Sequence, residues 1–132
     1  MDKAIQDATL GTIGWFAFAA APAGLAAGQT LRLSVVNLGS SDATVLCGLW
    51  SNPCPILLAE HKHTLRPGEA VNCDDLKASN FSREIIDKTG RAQIRPFVRS
   101  SSRTVCANLE VFDSKSGKTS IILPLQEMVY RE

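Results

Sequence analysis

Between Val105 and Leu125 the chain alternates in a way that fits one kind of local structure. Val105, Ala107, Leu109 and Val111 are apolar at every second position. Asp113-Ser114-Lys115-Ser116-Gly117-Lys118 holds residue types that end and reverse a strand, and Thr119, Ile121 and Ile122 resume the extended pattern. This predicts a β-hairpin. The same period of two recurs upstream. In Gln29–Asn37, Leu31, Leu33 and Val35 share one face while Arg32 and Ser34 share the other, as in a half-buried strand. Ala43–Trp50 is apolar on both faces, as a central strand is, and Ser51-Asn52-Pro53-Cys54-Pro55 ends it. Ile56–Leu65 is again extended. Arg66-Pro67-Gly68-Glu69 then makes a turn with Pro and Gly at favourable positions, and Glu69–Cys73 is a short strand. A first strand is predicted over Thr12–Phe18 and another over Ala92–Ser100. In the latter, Pro96 cannot donate to a ladder, which predicts an edge position or a bulge. Helix signals occur between Ser79 and Gly90, where Ser79 or Asn80 can cap and Gly90 can terminate one or two turns.

Strands at this spacing, about seven or eight of them with no βαβ rhythm, predict an all-β fold: an antiparallel β-sandwich of immunoglobulin or fibronectin-like size. A small barrel or jelly roll is the alternative. The length of 132 residues, 45% of them hydrophobic, suits one domain over 1–132, with 1–11 and 125–132 as tails. An early strand, a GQTLRLSVVN strand, a Pro-Gly turn and a final LEVFD hairpin together look like small exported bacterial β-sandwich domains. That resemblance is architectural and implies no site.

The formal net charge is +1, so no global field draws in nucleic acid, and any charged partner has to be met locally. The uncharged run Leu10–Ala27 is long enough to raise a membrane span or a signal core. Pro22, Gly24 and Gly28 interrupt it, and Asp2 and Asp7 dilute the positive flank of a signal, so the run reads as a strand followed by a loop. No membrane span is expected.

Four cysteines in a small all-β chain suggest disulfides. The expected pairs are Cys47 with Cys106, between sheets, and Cys54 with Cys73, as a loop staple. Against the first pair, Cys106 shares its strand face with the polar Asn108 and Glu110 rather than with Val105 and Ala107. His61 and His63 stand two apart on one strand face, with Asp74 and Asp75 beyond the next turn, which makes a possible half-site for a metal. The ligand set is unmatched, and neither a metal nor another cofactor is expected. No catalytic signature surrounds any serine or cysteine, and no enzymatic activity is expected.

Two surfaces remain as candidates for binding. Arg95, Phe97 and Arg99 share one face of their strand, with Gln93, and with Arg91 and Arg103 at its ends; guanidinium groups beside an aromatic ring suit an anionic glycan or another acidic ligand. Ile13 and Trp15 fall on one face of the first strand and Phe16 and Phe18 on the other. Such a two-sided strand is either covered within its own domain or donated to a neighbouring subunit in assembly. The function expected is a non-enzymatic structural or interaction module of an extracellular or envelope assembly, secreted, periplasmic or at the cell surface. Its partners would be other protein subunits, a homo-oligomer included. A carbohydrate- or anionic-ligand-binding domain is the second reading, and a metal-binding sandwich the third.

Overall fold

The computed structural model describes residues 15–52, 55–77, 88 and 90–128, with the backbone alone at Asp74. The strands among the described residues are β1 (Phe16–Ala19), β2 (Ala23–Leu25), β3 (Gln29–Asn37), β4 (Ala43–Asn52), β5 (Leu57–Leu65), β6 (Ala70–Lys77), β7 (Ala92–Ser100), β8 (Val105–Asp113), β9 (Thr119–Pro124) and β10 (Gln126–Glu127). Every ladder is antiparallel. The larger sheet runs β10-β1-β7-β4-β5, with β2 also on β7; the smaller runs β6-β3-β8-β9. The two sheets pack face to face as a β-sandwich, and no ladder closes either of them into a barrel.

The period of two explains which side chains fill the space between the sheets. Leu31, Leu33 and Val35 of β3, Leu109 and Val111 of β8, Val45 and Leu49 of β4, and Ile94 and Val98 of β7 are all essentially inaccessible. Each such side chain contributes about 1.5–3 kcal/mol by leaving water. Asn37 is buried at the end of β3 and fully used. Its Nδ2 donates to the Ser41 and Leu65 carbonyls at 2.9 and 3.0 Å, and its Oδ1 accepts from the Gly39 N–H, so one side chain ties three segments together. The hairpin turn between β8 and β9 is held by Asp113, whose Oδ1 accepts the backbone N–H groups of Lys115 and Ser116 at 3.0 and 2.8 Å. The bonds from Ser116, with that from Lys115, hold the Asp113 carboxyl below its ordinary pKa. Gly117 supplies the positive φ of 73° that the turn requires.

Several expectations need correction. Pro96 does not place its strand at an edge, because β7 lies between β4 and the β1/β2 pair. Beside Arg95 and Pro96 the neighbouring strand is interrupted: β1 ends with Ala19 opposite Phe97, and β2 begins with Ala23 opposite Ile94. A proline is therefore tolerated in the middle of the sheet, next to a break in its neighbour. Of the first predicted strand, Phe16–Phe18 fall in β1 and Trp15 does not, while Thr12–Gly14 lie outside the described residues, as do Cys54 and the residues predicted to form a helix except for Lys88 and Gly90. The carboxy-terminal segment is no tail as far as it is described. Leu125 is in the core, and Glu127 pairs with Phe18.

Candidate functional site

On β7, Ala92, Ile94, Pro96, Val98 and Ser100 turn inward, which leaves Gln93, Arg95, Phe97 and Arg99 on the outer face of the larger sheet. The register with β4 sets Leu46 beside Arg99, Gly48 beside Phe97 and Trp50 beside Arg95. On the other side of β4, Gly48 faces Glu60 of β5. Ala19 of β1 completes the row across Phe97.

Gly48 decides the relief of this face. A Cβ at that position would stand 2.0 Å from Cε1 and 2.2 Å from Cζ of Phe97, so the ring lies directly on the glycine backbone. With the ring folded down, a groove of about 350 Å3 opens on the sheet. Phe97, Trp50 and Leu46 line its apolar part, and Arg95, Arg99, Glu60 and Met128 border it. Phe97 and Trp50 are 6.4 Å apart between centroids with planes inclined by 42°, a favourable tilted aromatic pair. Next to the groove β5 carries one extra residue, because Leu49 faces Ala59 while Trp50 faces Leu57. Bulges of this kind locally re-aim side chains. Arg95 is exposed and has no ion-pair or hydrogen-bond partner among the described residues.

The sequence reading placed Arg95, Phe97 and Arg99 on one face, and the structure brings all three to this groove. It did not find Gly48, Trp50, Glu60 or Met128. A glycine inside an otherwise apolar strand was the available signal, since it marks a close approach of another group. Arg103 does not extend the strip. It pairs with Glu127 at 3.1 Å and stacks over the Phe16 ring at 5.0 Å.

The remaining sequence candidates separate. Cys47 of β4 and Cys73 of β6 form a disulfide that joins the two sheets, with Cα atoms 6.3 Å apart and both residues buried. The expected Cys47–Cys106 pair is therefore incorrect. Cys106 is a free, exposed thiol, because the alternation of β8 turns Ala107 inward and Cys106 out. Cys73 is used by Cys47, which also removes the expected Cys54–Cys73 staple.

His61 and His63 do share a face, with ring centroids 6.4 Å apart. Asp75, however, is held by Arg32 in a bidentate pair, both contacts 2.8 Å, and that hydrogen bonding lowers the Asp75 pKa from its ordinary value. No group of three or more metal-ligating side chains occurs among the described residues. In the first strand, Phe18 is buried and Phe16 packs against the core, while Ala17 and Ala19 take the opposite face. The half-buried Trp15 leaves its Nε1 without a partner among the described residues. β1 is hydrogen-bonded to β7 on one side and β10 on the other within the chain, the intramolecular of the two arrangements weighed for it.

Fold is all that similarity adds. No family model matches the chain, and no curated protein does. The crystal structure of Thermotoga maritima 1070 superposes with a TM-score of 0.52, covering 85% of this chain and 91% of that one, at 10% identity. At that identity the likeness shows the fold alone. No helix among the described residues is long and apolar enough to cross a membrane.

Proposed function

We propose that this protein is a non-catalytic binding module that takes an anionic, ring-bearing ligand, with an acidic sugar as the best fit, in the groove on the larger sheet. The observation that carries the reading is the exposed Arg95 guanidinium, without a partner among the described residues, next to an aromatic floor that Gly48 holds flat. A pyranose ring presents C–H groups that pack on Phe97 and Trp50, and its carboxylate accepts two parallel N–H bonds from Arg95. Glu60 on the opposite border accepts from sugar hydroxyls. The groove has room for one or two rings of this kind, at the low end of the range of about 300–1,000 Å3 for small-ligand sites.

This reverses the order in which the sequence ranked the possibilities, where a structural or interaction module came first. The two readings are compatible if the module works outside the cytoplasm in an envelope or extracellular assembly. The Cys47–Cys73 bridge favours that setting, because small-domain disulfides persist in oxidising compartments.

The test is a calorimetric titration with galacturonate and glucuronate oligosaccharides and their neutral counterparts, read in parallel by the fluorescence of Trp50. Binding of the acidic series that weakens with salt and disappears on Arg95→Ser supports the proposal. Equal affinity for neutral and acidic sugars, or no response to either, overturns it.

A further inference from the structure

The outward residues of the larger sheet form rows across its strands, and three successive rows pass through the groove. Ala19, Phe97, Gly48 and Glu60 make the middle row, which holds one carboxylate and no cation. Arg99, Leu46 and Lys62 make the row on one side, and Arg95, Trp50 and Leu57 the row on the other. Each of these outer rows has a cation and no carboxylate. Along the strands the face therefore runs positive, negative, positive, with about 6.8 Å between rows for two extended residues. Lys62 is exposed and, like Arg95, has no ion-pair or hydrogen-bond partner among the described residues.

We infer that the groove takes a polysaccharide segment lying along β4 and β7, in which two acidic sugars flank a neutral one. This rests on the acidic-sugar reading of the groove and specifies its ligand further. One acidic unit packs on Trp50 with its carboxylate on Arg95, and the neutral unit lies on Phe97 above Gly48. These two rings fill the groove, whose aromatic pair is 6.4 Å apart between centroids. The second acidic unit rests at the Leu46 end, with its carboxylate between Arg99 and Lys62.

Gly48 is what brings Glu60 into the selection. It contributes no side chain to the middle row, so a ring lying on Phe97 extends over the glycine toward β5 and meets the Glu60 carboxylate at its far edge. Hydroxyls of a neutral unit donate to that carboxylate. A carboxylate on the same unit would face it as a like charge, and like charges at such range repel strongly enough to change affinity severalfold. Glu60 and Arg99 also interact within the chain, but a carboxylate and a guanidinium have more acceptor and donor positions than one such interaction uses. A uniformly acidic chain thus meets repulsion at the middle row, and a neutral chain leaves the cations of both outer rows without a partner.

Three trigalacturonates, compared by calorimetric titration, test the pattern: one fully charged, one methyl-esterified at the central unit alone, and one esterified at both end units. The central ester should bind tightest, at least about threefold tighter than the fully charged trimer although it carries one charge fewer, and the double end ester weakest. Glu60→Gln should abolish the advantage of the central ester. Lys62→Ser should weaken the central ester at least about twofold and leave monomeric galacturonate unaffected. If the parent binds the fully charged trimer tightest, or if Glu60→Gln leaves the preference unchanged, the inference is overturned while the acidic-sugar reading stands. If none of the three binds, that reading fails and the inference fails with it.

Discussion

Replacing Gly48 with alanine tests the geometry of the groove most directly. Gly48 is buried and is not among the glycines with positive φ, so the backbone itself accepts alanine. Lower freedom in the unfolded chain would by itself stabilise the protein by about 0.4–1 kcal/mol. The added methyl, however, would lie 2.0 Å from Phe97 Cε1, far inside van der Waals contact, and the ring must leave. Overpacking of this kind costs about 1–3 kcal/mol; the lower end applies here because Phe97 is only half-buried and can swing toward solvent. The net expectation is a loss of at most about 0.6 kcal/mol in urea unfolding. Ligand affinity should fall about two- to tenfold, the equivalent of one aromatic contact of about 0.5–1.5 kcal/mol. The decisive comparison is made in a Phe97→Ala background, where there is no ring to displace and Gly48→Ala should be neutral or stabilising. If Gly48→Ala costs the same in both backgrounds, within about 0.3–0.5 kcal/mol, the ring does not rest on the glycine and the account of the groove is wrong.

Opening the sheet-to-sheet disulfide by Cys73→Ala should cost about 3.5 kcal/mol for a sequence separation of 26 residues, measured by urea unfolding against the oxidised parent. Alkylation of the folded, unreduced protein should label Cys106 and leave Cys47 and Cys73 unlabelled, and labelling of Cys47 would refute the bridge. The hydrogen bonds from Arg32 lower the pKa of Asp75 in the folded state, so the stabilisation is present above the ordinary aspartate pKa and is lost as pH falls through the folded value. Asp75→Asn should therefore cost less than about 1 kcal/mol at neutral pH, given how exposed the pair is, and should converge with the parent in acid; a gap that persists at low pH would show another cause.

The extent to which the fold could be read in advance follows from how local each determinant is. The hairpin, the β3 alternation and the Pro67-Gly68 turn depend on neighbours in sequence, and all three are where the pattern puts them. The position of β7 depends on what lies beside it. Pro96 alone suggests an edge, and nothing in the period of two announces that the adjacent strand breaks at Ala20–Pro22. Disulfide pairing failed for a related reason. Strand parity correctly cast doubt on Cys106, but the meeting of Cys47 with Cys73 is set by how β4 and β6 cross between sheets. The basic strip was legible because β7 is regular. Its floor was not, since Gly48 and Trp50 acquire meaning only through their register with Phe97.

Register also links the disulfide to the groove. Cys47 and Gly48 are consecutive on β4, so alternation sends the cysteine inward to Cys73 and turns the glycine outward beneath Phe97. The strand that forms the floor is thus fastened from below, one residue from the point where the ring rests. A groove shaped by a glycine has no side chain of its own to hold its depth, and the sheet beneath it has to be rigid for the ring to stay flat. The inter-sheet bridge supplies that restraint at the adjacent residue, and buried Val45 and Leu49 continue it along the inner face of the same strand. Stability and ligand geometry therefore depend on the same five-residue stretch, Val45 to Leu49, in which successive side chains face alternately toward the core and toward the groove.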